Sequence, residues 1–316
     1  MSIFIHPAYQ AFLKQFRSGP DTKGFTAQQL REHINGLADT SNLPDIYEEE
    51  YNIVAGPNKA ELVLTVIRPI GTEKDILPVT LYLHGGGWIL GDRATYERTI
   101  RNWAIQTHGA VAFVEYSLSP EIKFPVAQEE CYDTLLWILK NHQQIRVNPD
   151  KLVIGGDSAG GNLSAVVCLM AKDRGFVDKI KAQVLIYPAV TEDREEFESY
   201  RTCGGGDYVL STPEVIWSYE QAFGEDAHNN KYAMPLTASL DELRGLPPAL
   251  VLTAEADLLR DEGEAYAVKL TKAGVEAVAV RVLNAVHGIF SLVYEAPQYD
   301  FSMGIITSYV NKVYQQ

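Results

Sequence analysis

The spacing of hydrophobic and polar positions changes at about Glu48. Upstream, Phe12, Leu13 and Phe16, and later Leu30, Ile34 and Leu37, fall at helical intervals, so residues 1–45 are expected to form partly amphipathic helices. Downstream, Tyr51–Val54 and Leu62–Arg68 are β-rich runs separated by the turn signal Gly56-Pro57-Asn58. Short apolar runs then alternate with helical stretches. Strands are expected at Val79–Leu83, Ala110–Tyr116, Lys151–Ile154, Ala182–Tyr187, Ala249–Ala254 and Glu276–Leu283. Helices are expected at Tyr96–Thr107, Val126–His142, Asn162–Ala171, Glu262–Ala273 and Tyr294–Tyr314. Strands alternating with helices of this length imply βαβ crossovers and a largely parallel sheet.

The alternation breaks between residues 191 and 234. Charged residues there give way to Gly204-Gly205-Gly206 and then to a helical pattern through Val215, Ile216, Tyr219 and Phe223. The expected organisation is N-terminal cap helices over 1–45, an α/β domain over 46–190 and 235–316, and a cap insertion over 191–234.

Composition narrows the function. The chain has 316 residues, 46% hydrophobic and 22% charged, enough to bury a large core without disulfide staples. A net charge of −14 with no Lys/Arg run opposes nucleic-acid and anionic-lipid partners. Cys131, Cys168 and Cys203 form no CxxC pair, so neither a metal site nor a redox motif is expected; an odd count fits a reducing compartment. His6, Pro7, Gln10 and Lys14 interrupt the first apolar stretch, and no run reaches the ~20 apolar residues of a membrane span. The expected location is the cytoplasm.

The strongest chemical signal is Gly156-Asp157-Ser158-Ala159-Gly160, a G-x-S-x-G string between an expected strand and an expected helix. A sharp strand-to-helix turn brings the residues two before and two after the serine together, where side chains would collide. It lifts the hydroxyl clear of the sheet and aims the Ala159 amide at any oxyanion formed beside it. The four-residue gap from Gly155 to Gly160 also suits a phosphate-binding loop, but Gly161 and Asn162 stand where that motif needs Lys and Ser/Thr. A second signal, His84-Gly85-Gly86-Gly87, follows a strand. Its glycines let the backbone approach a carbonyl, so the Gly86 and Gly87 amides join Ala159 as candidate oxyanion donors, with His84 bracing the loop. A third signal is chain order, in which an acid and then a histidine follow the serine. Of seven histidines, only His287 lies after a late strand with a glycine next to it. Asp257, just past the Ala249–Ala254 strand, is favoured as the acid over Asp261, which suits a helix start.

Together these residues resemble the hormone-sensitive-lipase-like esterases. HGGGW and GDSAGGN match that family's strings. Tyr116-Ser117-Leu118-Ser119-Pro120-Glu121 is similar to its YRLAPE with Ser117 for Arg. Leu246-Pro247-Pro248-Ala249 and the Asp257–Gly263 stretch resemble its GLPPA and DPLRDEG blocks, and His287-Gly288-Ile289 its HGF. The resemblance implies an α/β-hydrolase fold, with a mostly parallel eight-stranded sheet flanked by helices and a helical cap. It also implies Ser158, Asp257 and His287 as a catalytic triad and Gly86, Gly87 and Ala159 as the oxyanion hole. The expected activity is hydrolysis of short- to medium-chain carboxylic esters, small molecules, through an acyl-enzyme, with no cofactor or metal. Trp88, Tyr208 and Ile289 are candidate pocket residues. An amidase or lactonase would use the same triad, and a binding protein could share the fold. The Glu276–Leu283 strand reads as a sheet edge, which invites pairing with a second copy, and a homodimer fits the resemblance too.

Overall fold

The Gly56-Pro57-Asn58 turn closes a hairpin between β1 (Ile46–Ala55) and β2 (Ala60–Pro69), paired in antiparallel register from Ala55↔Ala60 to Ile46↔Pro69. Gly56 takes a positive φ of 72° there, and Glu48, Glu50, Asn52 and Val54 alternate outward along β1. The computed structural model describes residues 3–19, 22, 24–36, 41–224, 227–292 and 294–316. Leu37 of the expected N-terminal pattern lies outside them.

Six further strands complete the sheet: β3 (Leu77–Leu83), β4 (Ala110–Val114), β5 (Val147–Asp157), β6 (Ile180–Ile186), β7 (Ala249–Ala256) and β8 (Ala277–Val286). Their order is β1-β2-β4-β3-β5-β6-β7-β8. β2 runs antiparallel to both neighbours, and every other pairing beyond it is parallel. Strands buried on both faces read as unbroken apolar runs, as β4 (AVAFV) does. β8 is a sheet edge, as its sequence suggested.

Helices cover both faces. α3 (Arg93–Thr107) and α10 (Pro297–Tyr314) pack on one; α4 (Val126–Asn141), α5 (Ala159–Asp173) and α9 (Arg260–Lys272) pack on the other. N-terminal to the sheet lie α1 (Pro7–Ser18), which buries Tyr9 and Leu13, and α2 (Ala27–Asn35), opened by a Thr26/Gln29 capping box. The 191–234 stretch carries α6 (Glu198–Cys203) and α7 (Thr212–Ala222), and the short α8 (Leu240–Leu243) follows. The two ends of this stretch are drawn together by Asn162, whose Nδ2 donates to both Ala189 O and Ala233 O at 2.8 Å.

Several boundaries differ from the sequence reading, among them those of β5 and α10. β5 continues to Asp157 instead of stopping at Ile154, because Gly155 and Gly156 pair in register with Tyr82 and Leu83 on one side and Val184 and Leu185 on the other. α10 begins at Pro297, not Tyr294, since proline suits the first helical turn. All three cysteines are buried and unpaired. Among the described residues no helix is long and apolar enough to cross a membrane.

The placement of β3 decides where chemistry can occur. It lies between β4 and β5, so the chain winds outward from β3 in both directions. The carboxyl ends of β3 and β5, neighbours at Leu83↔Gly156, form the topological switch point where α/β sheets bind ligands. Both glycine motifs leave the sheet there.

Candidate active site

β5 ends at Asp157 and α5 begins at Ala159, so Ser158 alone makes the turn, at φ 54° and ψ −118°. A non-glycine residue holds such a conformation only when its surroundings force it. Here Ser158 N donates to Ile186 O at 2.8 Å, and the flanking glycines are sterically obligatory. A Cβ on Gly156 would sit 2.2 Å from Leu83 O, and one on Gly160 2.0 Å from the same oxygen.

The loop after β3 turns just as tightly. Gly86, Gly87 and Trp88 have φ of 104°, 61° and 62°, and Gly86 O accepts from Ile89 N and Leu90 N. His84 is buried and stacked on Tyr116 with ring centroids 4.2 Å apart. Burial pushes its imidazole down to about 4, so the ring is neutral near pH 7, and its Nδ1–H donates to Gly85 O at 2.8 Å. It braces the loop and has no part in the serine–histidine contact.

The two motifs are tied by the Asp157 carboxylate. It accepts from Tyr82 Oη (3.0 Å), Tyr96 Oη (3.0 Å) and Gly85 N (3.1 Å). Burial raises its pKa, opposed by these hydrogen bonds. Among the described residues, the amides of Gly86, Gly87 and Ala159 have no protein acceptor. They are left for a ligand oxygen.

His287 follows β8 directly, and Asp257 follows β7. His287 Nε2 lies 3.0 Å from Ser158 Oγ, and its Nδ1 lies 2.7 Å from Asp257 Oδ2. Asp257 is held in turn by Leu259 N, which donates to Oδ1 at 2.9 Å. Asp261 is engaged elsewhere, pairing with Arg260 and accepting from Ser199 N at 2.7 Å. The Tyr187 ring packs 4.4 Å from the His287 ring. An imidazole bonded at one nitrogen to a carboxylate and at the other to a hydroxyl can take the hydroxyl's proton.

The candidate pocket residues are more dispersed. Trp88 is buried with its indole edge-on to Tyr219 (5.2 Å) and Phe223 (4.7 Å) of the insertion. Tyr208 is half-buried and its hydroxyl accepts from Ile3 N at 3.0 Å. Ile289 is buried in the α3/α10 layer. Sequence reasoning missed Tyr82, Tyr96 and Arg31. The first two look like ordinary core aromatics, and nothing in the order of residues links Arg31 to Ile89, 58 positions away, whose carbonyl it holds.

Among the described residues, no group of three or more His, Cys, Asp or Glu is arranged to hold a metal ion. Comparison with known proteins agrees with the fold. A family profile described as an alpha/beta hydrolase fold matches residues 80–291. A structure from work on two fungal esterases of Rhizomucor miehei superposes with a TM-score of 0.95, at 40% identity, covering 100% of this chain and 99% of that one. A hyperthermophilic esterase from Pyrobaculum calidifontis superposes with a TM-score of 0.90 at 34% identity, covering 99% of each chain. An arylesterase of Saccharolobus solfataricus is 33% identical over 269 residues, 84% of this chain and 85% of its own.

Proposed function

The chain belongs to the α/β-hydrolase-fold family, in its hormone-sensitive-lipase-like esterase branch, and from that premise we propose that it hydrolyses carboxylic esters through an acyl-enzyme on Ser158. That it is a carboxylic ester hydrolase follows from its relatives; the mechanism and the acyl range are our reading. His287 removes the Ser158 proton as the hydroxyl attacks the ester carbonyl. Asp257 fixes the imidazole's tautomer and stabilises its cation. The tetrahedral oxyanion rests on the amides of Gly86, Gly87 and Ala159. The C–O bond to the alcohol breaks and the alcohol leaves with the proton from His287. Water, deprotonated by His287, then attacks the acyl group and releases the carboxylic acid.

One observation carries this reading: the hydrogen-bonded line Ser158 Oγ–His287–Asp257, with distances of 3.0 and 2.7 Å. A fluorophosphonate probe tests it. The wild-type chain should be labelled at Ser158, and Ser158→Ala should neither label nor turn over. Asp257→Asn should lower kcat roughly 10⁴-fold, as loss of the imidazole's tautomer does in serine proteases. Asp261→Asn should stay near wild type. Labelling of another serine, or loss of turnover on changing Asp261 alone, would defeat the assignment.

The substrates we infer are short- to medium-chain esters. Residues 1–45 and 191–234 act as the cap, and the aromatic cluster of Trp88, Tyr219 and Phe223 beside the glycine loop supports a short acyl pocket. Tyr208, joined to the N-terminal segment through Ile3, is read as a cap residue on its rim.

A further inference from the structure

We propose that Arg31, on the N-terminal helix α2, is a positioning residue that holds the Gly86–Trp88 loop in its catalytic shape, so that the N-terminal cap sets turnover as well as access. The inference rests on the reading of the Gly86 and Gly87 amides as oxyanion donors.

The loop needs an outside hold. Gly86 and Gly87 take positive φ at no steric cost, but Trp88 at 62° keeps its conformation only when its neighbours over-determine it. Part of the hold comes from the turn itself, through Gly86 O, and part from the aromatic contacts of Trp88. Trp88 O also accepts from Ser119 N at 2.8 Å, which joins the loop to the segment after β4. Arg31 closes that junction. Its Nε donates to Ile89 O at 2.7 Å, and its Nη2 donates to Ser119 O at 2.7 Å. The same guanidinium meets both Glu121 oxygens, through Nη1 at 2.8 Å and Nη2 at 2.7 Å. Asn35, one turn further along α2, donates to Asp92 Oδ2 at 2.6 Å, where Asp92 caps α3 at the loop's far end. α2 therefore grips both ends of the stretch from Ile89 to Asp92.

A plain surface ion pair would be the simpler account. The Arg31 side chain is 21% exposed and that of Glu121 59%, so the Arg31–Glu121 contact by itself contributes little. What differs is where the other two bonds go. They end on main-chain carbonyls that Glu121 does not touch, one of them two residues from Gly87. A guanidinium presents several donors in a fixed fork, which an ammonium cannot reproduce. Without that fork, the Ile89–Leu90 peptide is held only from its N–H side, by Leu90 N on Gly86 O, and the preceding amides lose part of their aim. Transition-state stabilisation should fall while ground-state binding under the cap is kept.

The test uses the full chain and compares Arg31→Ala, Arg31→Lys and Glu121→Gln on p-nitrophenyl butyrate, alongside binding of a trifluoromethyl ketone, whose adduct with Ser158 places an oxyanion in the hole. Arg31→Ala should lower kcat roughly 10–100-fold, less than the ~10²–10³ of losing a donor outright, and leave KM within about twofold. Ketone affinity should fall by the same factor as kcat. Arg31→Lys keeps the charge but lacks the fork, so it should fall between wild type and Arg31→Ala; if the alanine variant does not fold, the lysine variant carries the test. Glu121→Gln should stay within about twofold of wild type in kcat. A raised KM with kcat intact, an equal loss in Glu121→Gln, or unchanged ketone affinity in both Arg31 variants would overturn the role of Arg31. A wild-type chain that binds no ketone would instead overturn the oxyanion reading beneath it.

Discussion

At Gly160 a single methyl group decides whether the elbow can close. Its Cβ would fall 2.0 Å from Leu83 O and 2.6 Å from His84 O, the last carbonyls before the glycine loop. These are backbone atoms, one at the end of β3 and the other held by the Tyr116 hydroxyl at 2.8 Å, so they cannot swing aside as a flexible side chain would. Gly160→Ala must therefore push α5 away from β3, and overpacking of this kind typically costs about 1–3 kcal/mol. Urea melts should show a lowered midpoint and esterase assays a loss of turnover. A variant with the wild-type midpoint would mean that the contact relaxes easily. Asp157 illustrates the same economy of space. One buried carboxylate joins the elbow to the glycine loop through Gly85 N and takes two tyrosine hydroxyls as well.

At the scale of elements, α7 is the piece that roofs the glycine loop. Its capping box, Ser211 with Glu214, fixes where it starts. Two helical turns on, it lays Tyr219 against Trp88, while Ser218 lies so close to Gly87 that a Cβ there would sit 3.1 Å from its hydroxyl oxygen. Tyr219 is also pinned to the body, its hydroxyl donating to Thr191 O at 3.0 Å. On the proposed reading, a roof held this close limits the length of the acyl chain. Turnover on a p-nitrophenyl ester series should accordingly be higher at C4 than at C12. Faster turnover of the C12 ester would show that the roof lifts or that the acyl chain leaves by another route.

At the scale of the whole molecule, the buried carboxyls link stability to pH. Glu262 of α9 is fully buried and accepts from Val190 N, Thr191 N and Tyr200 Oη, so it ties the base of the insertion to α9. Burial raises its pKa from 4.5 to about 8, with Asp257 adding to the rise. Between those values the folded chain keeps a proton that the unfolded chain releases. Unfolding free energy should therefore fall as pH rises through that window, by at most ~1.4 kcal/mol per pH unit for this one group. Asp157 and Glu130, also raised by burial, act with the same sign. Glu262→Gln should flatten part of the slope in urea midpoints measured from pH 5 to pH 8. Parallel slopes for the two proteins would rule out Glu262 as a source of it.

The order of residues determined the alternation of strands and helices, because period and turn chemistry are local. It also marked out the elbow and the glycine loop, where glycines are required by sterics and stand next to the residues they serve. Chain order nominated His287 and Asp257. The folded chain decided what depends on distant contacts. It put Asp257 rather than Asp261 beside His287, because Asp261 is taken up by Arg260 and Ser199. It ran β5 through Gly155 and Gly156, since neighbouring strands supply ladder partners that glycine's weak strand preference hides. It also brought Arg31 to Ile89 and Tyr96 to Asp157, contacts between residues 58 and 61 positions apart, for which no local pattern exists. Local rules write the elements and the reactive groups; packing alone chooses which of those groups meet.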